Sequence, residues 1–392
     1  MRIVDIRERG IAISRYADPA IPSGGLTTSL VAVVTDVVRA GKPVVGYGFS
    51  SIGRFAQGGL IRERFAPRLL KAGDDELSDA AGANLDPFKA WYAMMTGEKS
   101  GGHGERCVAV GTLDMAIWDA AAKIAGLPLY RFLADRLGRK AATTTRVRVY
   151  AGGGYLYPKN DIARLSDEMR RFVNLGFTHA KIKIGSAGLD EDVRRIEAAA
   201  AQLLGYRHLA VDAMNTYDLD CGLAAATALA PLGLWWFEDV CDPLDFNAQT
   251  RVAACYDGPI AAGEALFSLA EAKLLDQHGG LRRAGDILLF DPVHCYGLPG
   301  YLKIIEHLVM KGWPTQAFWP HGGHLFCLHL VAALGLGGAE INPLAFRPFR
   351  GLPDGLEIAD GFADLPQAPG IGFELHGEAW RKFQSVLGER SP

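Results

Sequence analysis

Six residues could do proton and cation chemistry together, and their spacing groups them. Lys183, Asp212, Glu238, Glu264, Asp291 and His321 each stand at or beside the C-terminal end of a short apolar run, and successive gaps are 29, 26, 26, 27 and 30 residues. Each gap is the length of one β/α unit. In a barrel of such units the catalytic groups come from the C-terminal ends of successive strands, so the spacing predicts convergence on one mouth. Asp212, Glu238 and Glu264 would repel one another there unless a cation sat among them. An all-oxygen set points to a hard ion, magnesium, and away from zinc, because the trio has no Cys or His. Any one of the three alone reads better as a helix cap or a lysine's partner. All three at one-unit spacing favour the ion.

Lys181-Ile182-Lys183 places two amines on the same side of a strand, since residues i and i+2 share a face. Two adjacent ammonium groups depress each other's pKa, and a lysine lowered toward neutrality serves as a general base. On its own the segment would read as a half-solvated strand with surface lysines; its place one unit before Asp212 favours chemistry. Asp291 and His321, on consecutive strands, suggest a carboxylate that orients an imidazole and supports its charged form. His324 and His329 receive no role. His103, in GGHGER, reads equally as substrate-facing or as a loop residue.

Positioning these groups takes a large scaffold, and 392 residues suffice for two domains or for one barrel with an addition. The first 50 residues are β-branched stretches broken by Gly, Pro and Ser, as in an antiparallel meander. Helical patterns follow over Glu76–Ala81, Pro87–Met95 and Arg106–Ala125. From about Arg146, apolar runs alternate with amphipathic helices such as Asp190–Leu204 and Pro299–Lys311. The runs RVRVYAGGG, THAKIKIG, HLAVDAM, LWWFED, PIAAGE, DILLFD, TQAFWPH and GGAEIN count as eight strands. That predicts an α/β fold, a (β/α)8 TIM-type barrel over 126–347. An α+β capping domain over 1–125 precedes it, and the segment 348–392, with a strand-like GIGFEL and one helix, is expected to return to the cap.

Composition narrows the partners. Apolar residues make up 49% and charged residues 22%, enough for a full core. The net charge of -3, with no basic block, argues against nucleic acid. No apolar run approaches the roughly 20 residues a membrane helix needs. The six cysteines form no CxxC pair, and the N-terminal MRIVDIRERG has no signal-peptide pattern, so a cytoplasmic, homo-oligomeric enzyme acting on a small molecule is expected.

The pattern from KIK through Asp212, Glu238 and Glu264 to Asp291 and His321, then Glu340 on the eighth run, resembles the enolase superfamily, in its mandelate racemase subgroup. That superfamily uses a Lys or His base with magnesium to hold an enediolate. Within it, EKSGGHGER (98–106), AGGGYLYP (151–158), DPLDF (242–246), PHGGH (320–324) and GLGGAE (335–340) look most like the D-tartrate dehydratases. The resemblance implies a cap built from both termini, Mg2+ on Asp212, Glu238 and Glu264, and Lys183 as the base that takes the proton α to a carboxylate. His321 would assist departure of the β-hydroxyl with Asp291 behind it, and Lys181 would offset the enediolate charge. Lys99 would reach down from the cap, and Glu340 would hydrogen-bond the substrate carboxylate. The family usually has Asn two residues after the first metal Asp; here the amide is Asn215, one place later, and it is carried as a substrate-side residue. The loop RYADPAIPSGGLTTS has Arg15 as its single cation, which leaves a monocarboxylic sugar acid open beside tartrate. The implied activity is dehydration of a hydroxy-diacid or sugar acid, with D-tartrate to oxaloacetate as the leading case. A racemase or epimerase using the same Lys/His pair and an inactive binding homologue are the alternatives.

Overall fold

The computed structural model describes residues 1–139, 145–349 and 351–388; Arg350 and 389–392 of the expected returning segment lie outside it. Strands β1 (Ile3–Ala12), β2 (Thr27–Arg39) and β3 (Lys42–Phe49) form the antiparallel meander in that order. Ala40 and Gly41 join β2 to β3 with φ of 48° and 76°, a pair of left-handed residues suited to a tight hairpin. The helix Glu105–Ala125 lies on β2 and β3. A Cβ at Gly46 of β3 would sit 1.9 Å from the Ala116 carbonyl oxygen, so glycine lets helix and sheet backbones meet. On another face, a Cβ at Gly111 would sit 1.9 Å from the Val293 oxygen. The helix is therefore wedged between the sheet and the loop that follows Asp291. Asp114 on it accepts a hydrogen bond from the Leu298 amide at 2.7 Å, fixing the start of the helix Leu298–Met310.

The barrel strands are β4 (Arg146–Gly152), β5 (Ala180–Lys183), β6 (Leu209–Asp212), β7 (Phe237–Glu238), β8 (Ile260–Ala262), β9 (Ile287–Leu288) and β10 (Ala339–Ile341). Neighbours from β4 to β9 pair in parallel, and β10 pairs with β4. The expected seventh strand, TQAFWPH, is reduced to a bridge between Leu288 and Phe318, closed on its other side by the Gly337 amide on the Phe318 carbonyl at 3.0 Å. Pro314 and Pro320 bracket it and have no N–H to extend a ladder. Tyr150, Ala210, Trp236, Ala261, Leu289 and Trp319 plug the barrel interior.

Two further expectations need correction. The helix expected over Glu76–Ala81 is the shorter turn Asp74–Leu77, because Ser78 is extended and bridges Leu85. The strand-like GIGFEL is a 3-10 turn, Phe373–Leu375, entered through Gly372 at φ 90°. A hairpin that the sequence reading did not foresee, β11 (Ile358–Ala359) and β12 (Phe362–Asp364), adds to β4. The helix Gly377–Leu387 packs on β1 and β2, with Trp380 and Phe383 against Tyr47. Among the described residues no helix is long and apolar enough to cross a membrane.

His329, left without a role above, is fully buried on the helix Leu325–Leu334. Its Nδ1 accepts from the Tyr130 amide at 3.2 Å, so Nε2 carries the proton to the Ile371 carbonyl at 2.9 Å. A second ring proton would face the Tyr130 N–H, and burial already pushes the imidazole down to about 4. The unfolded chain therefore binds a proton that the native state does not, and stability is lost as pH falls below the unfolded value near 6.5 toward 4. The linkage amounts to about 3 kcal/mol. Denaturant titrations from pH 7 to pH 4 should show this loss, with a shallower slope in His329→Gln; an unchanged slope would refute the assignment.

Candidate active site

Register builds the site. Lys183 pairs with Asp212 across β5 and β6, and Asp212 with Glu238 across β6 and β7, so the three lie side by side on one rung. Glu264 follows two residues after β8, beyond Gly263 at φ 127°. One oxygen each from Asp212, Glu238 and Glu264 lies within 4.8 Å of the others. Lys181 forms an ion pair with Glu238 and lies 3.5 Å from Asp212 and 3.7 Å from Glu340. Lys183 forms an ion pair with Asp212, and its Nζ is 5.5 Å from the centre of the Tyr155 ring. Below them, the Trp236 indole donates to the second Glu238 oxygen at 2.7 Å, so the barrel plug orients that carboxylate.

The seventh position supplies His321. Its Nδ1 is 2.9 Å from Asp291 Oδ2 and its Nε2 is 3.5 Å from Glu264 Oε2. Asp291 is held from every side: the Val293 and His294 amides donate to Oδ1 at 2.7 and 3.2 Å, and the Ser51 hydroxyl donates to Oδ2 at 2.7 Å. Burial disfavours the imidazolium, but Glu264 and the hydrogen bond to Asp291 outweigh it and raise His321 to about 9. Asp291 is held below the ordinary carboxylate range against its burial, by His294 and His321.

The lysine pair corrects an expectation. Burial and the neighbouring ammonium both oppose charge on Lys183, but Asp212 outweighs them and holds it above the ordinary lysine value. Lys181 is held up in the same way, by Glu238 and Glu340 against burial. Reading i and i+2 along one strand ignored the carboxylates on the next.

The donor set suits a divalent ion. Asp212, Glu238, Asp239, Glu264, Asp291 and Glu340 face Lys181, Lys183 and His321, six potential negative charges against three positive. Burial pushes Glu238 well above the carboxylate range despite Lys181, and Glu264 Oε2 is buried with no hydrogen-bond partner. A hard cation would satisfy both.

Other expected residues divide. Glu340 is buried beside Lys181 with Oε2 unpartnered, and a Cβ at Gly152 would lie 2.0 Å from its Oε1, so glycine there makes room for the carboxylate. The Asn215 side-chain nitrogen donates to the Cys241 carbonyl at 2.8 Å, tying the loop after β6 to the loop after β7. Lys99 is exposed and makes no contact with the cluster; its carbonyl accepts from Arg106 at 2.8 Å. His103 Nδ1 lies 3.0 Å from the Tyr296 hydroxyl.

Five residues had no expected role in the site. Asp239, with φ 46°, is buried with Oδ2 unpartnered. Ser51 arrives from the N-terminal region, 240 positions before Asp291. His294 lies in the loop after β9. The Arg15 guanidinium stands 5.3 Å from the Tyr155 ring that Lys183 also faces, and Arg54 stands 4.6 Å from Phe267 beside His294. No carboxylate pairs with either arginine among the described residues. Arg15 was visible in its loop; the others had no periodic signal.

Residues 164–380 match the family described as enolase C-terminal domain-like. The chain is 28% identical over 391 residues to an arabinonate dehydratase of Saccharolobus solfataricus, covering 97% of this chain and 99% of that one. It is 28% identical over 371 residues to an L-talarate/galactarate dehydratase of Salmonella typhimurium, covering 92% and 85%. Among solved structures, an L-talarate dehydratase from Polaromonas, complexed with Mg and L-glucarate, superposes with a TM-score of 0.69 at 26% identity, covering 94% of each chain.

Proposed function

Since this chain belongs to the enolase superfamily, we propose that it is a magnesium-dependent hydro-lyase that dehydrates a sugar acid or hydroxy-diacid to a 2-keto acid. The observation that carries the reading is the placing of Lys183 against Asp212 and of His321 against Glu264, a candidate base and a candidate acid at two edges of one carboxylate trio. Asp212, Glu238 and Glu264 would hold Mg2+, which would supply positive charge to the substrate carboxylate and compete with Lys183 for Asp212.

The chain's own groups do the rest. Lys183, once unprotonated, takes the α-proton, and the electron pair left behind makes a dianionic enediolate. Lys181, nearly fully buried, opposes that charge at fixed distance. His321 gives its Nε2 proton to the β-hydroxyl as the C–O bond breaks, so water leaves and the enol tautomerises to the keto acid. Asp291 keeps Nδ1 protonated and the ring oriented, and Ser51 and two backbone amides hold Asp291.

For the substrate, Arg15 and Arg54 favour a diacid, because each offers a guanidinium with no internal carboxylate to a distal one. D-tartrate, giving oxaloacetate, is the leading candidate on the sequence segments it shares with that group. A screen of hydroxy-diacids and monocarboxylic sugar acids with Mg2+, reading keto-acid formation, tests this. Turnover of D-tartrate or another diacid, with KM raised by about tenfold or more in Arg15→Met or Arg54→Met, supports it. Turnover confined to monoacids would overturn the diacid assignment, and no keto acid from any compound would count against the dehydratase itself.

A further inference from the structure

The His294 ring takes no part in the proton transfers above, yet it is among the most enclosed polar side chains near the mouth. It is 2% exposed, and both of its ring nitrogens lack a hydrogen-bond partner. Leaving a buried polar group unsatisfied is costly, so such a group calls for a reason. Its surroundings supply one. Nε2 lies 3.6 Å from Asp291 Oδ2, the oxygen that His321 Nδ1 approaches at 2.9 Å, and the two imidazole centres are 5.6 Å apart. One ligand atom from each of Asp291, His294 and His321 falls within 4.8 Å of the other two. Around an ion with bonds of about 2.0–2.1 Å, tetrahedral ligands sit about 3.3 Å apart, close to the 2.9 and 3.6 Å that separate Asp291 Oδ2 from the two rings.

The donor chemistry differs from that of the neighbouring trio. Two imidazoles and one carboxylate suit a borderline ion such as Zn2+ or Co2+, and three protein ligands leave a fourth position for water. We propose that Asp291, His294 and His321 form a second cation site for a borderline divalent metal, and that filling it switches the enzyme off. The ion takes His321 Nδ1 in place of the hydrogen bond to Asp291, and the Nδ1 proton leaves to solvent. The imidazolium that would protonate the leaving hydroxyl is then gone. The inhibitory half rests on the role given to His321; the binding half does not.

The test uses the full chain in a large excess of Mg2+. Equilibrium dialysis should leave one Zn2+ bound per chain, Co2+ at the same site should give visible absorption bands, and turnover should fall in step with occupancy. His294→Phe should weaken Zn2+ binding by about tenfold or more and relieve inhibition, with His294→Gln as the second variant should the first fail to fold. Asp212→Asn, which breaks the trio, should leave Zn2+ binding in place. Simple displacement of Zn2+ by Mg2+, loss of Zn2+ in Asp212→Asn, or undiminished affinity in both His294 variants would overturn the site. Zn2+ bound with turnover intact would overturn the switch, and since dialysis and absorption need no substrate, failure of the dehydratase reading would leave the binding result readable.

Discussion

Lys183→Ala is expected to lower keto-acid formation by about 10²–10⁴-fold, the usual worth of a positioned general base, or about 3–5 kcal/mol of barrier. The loss should fall on kcat, with substrate still bound and the fold intact by circular dichroism. Lys181 cannot substitute, although it lies on the same strand face. It is 1% exposed, paired with Glu238 and flanked by Asp212 and Glu340, so its amine is committed to the interior. Lys183 is nearer the mouth, under Tyr155. Exchange of the α-proton with D2O, followed by NMR, should disappear together with dehydration. Substantial exchange in Lys183→Ala would refute its role as the base.

The place of that candidate base was legible because a repeat imposed it. A barrel of β/α units places one strand end every 26 to 30 residues here, so polar residues at that period must meet, and register sets Lys183, Asp212 and Glu238 on one rung. What the period could not supply is what each group faces. The state of the two lysines was misjudged because the deciding carboxylates lie on β6 and β7, across the sheet. Asn215 was carried as substrate-facing, while positive φ at Met214 and at Asn215 itself turns its amide onto the next loop. Ser51 and Arg54 come from the N-terminal region, and their contacts with Asp291 and Phe267 depend on how the helix Glu105–Ala125 seats that region on the barrel. No local spacing encodes contacts across more than 200 positions. His294 was hidden for another reason: three residues past Asp291, it falls between the periodic positions.

His321→Asn should separate the two halves of the reaction. Asparagine can still donate to Asp291, so the loop need not collapse, but it has no proton to give where Nε2 stood. Departure of hydroxide without an acid should then slow dehydration by about 10²–10⁴-fold. The α-carbon step is assigned to Lys183, four strands away from Asp291 across the trio, and it should continue. Substrate recovered from D2O should therefore carry deuterium at the α-position while keto acid accumulates hardly at all. Asp291→Asn should move in the same direction, because the amide can present a donor to Nδ1 and favour the wrong tautomer. If His321→Asn instead abolished exchange and dehydration equally, His321 would be acting on the α-carbon itself. The Lys183/His321 pair would then be two bases on opposite faces of one carbon, the arrangement of a racemase or epimerase. Retained exchange in His321→Asn, with its loss in Lys183→Ala, is what an enzyme that removes a proton with one residue and releases water with the other must show.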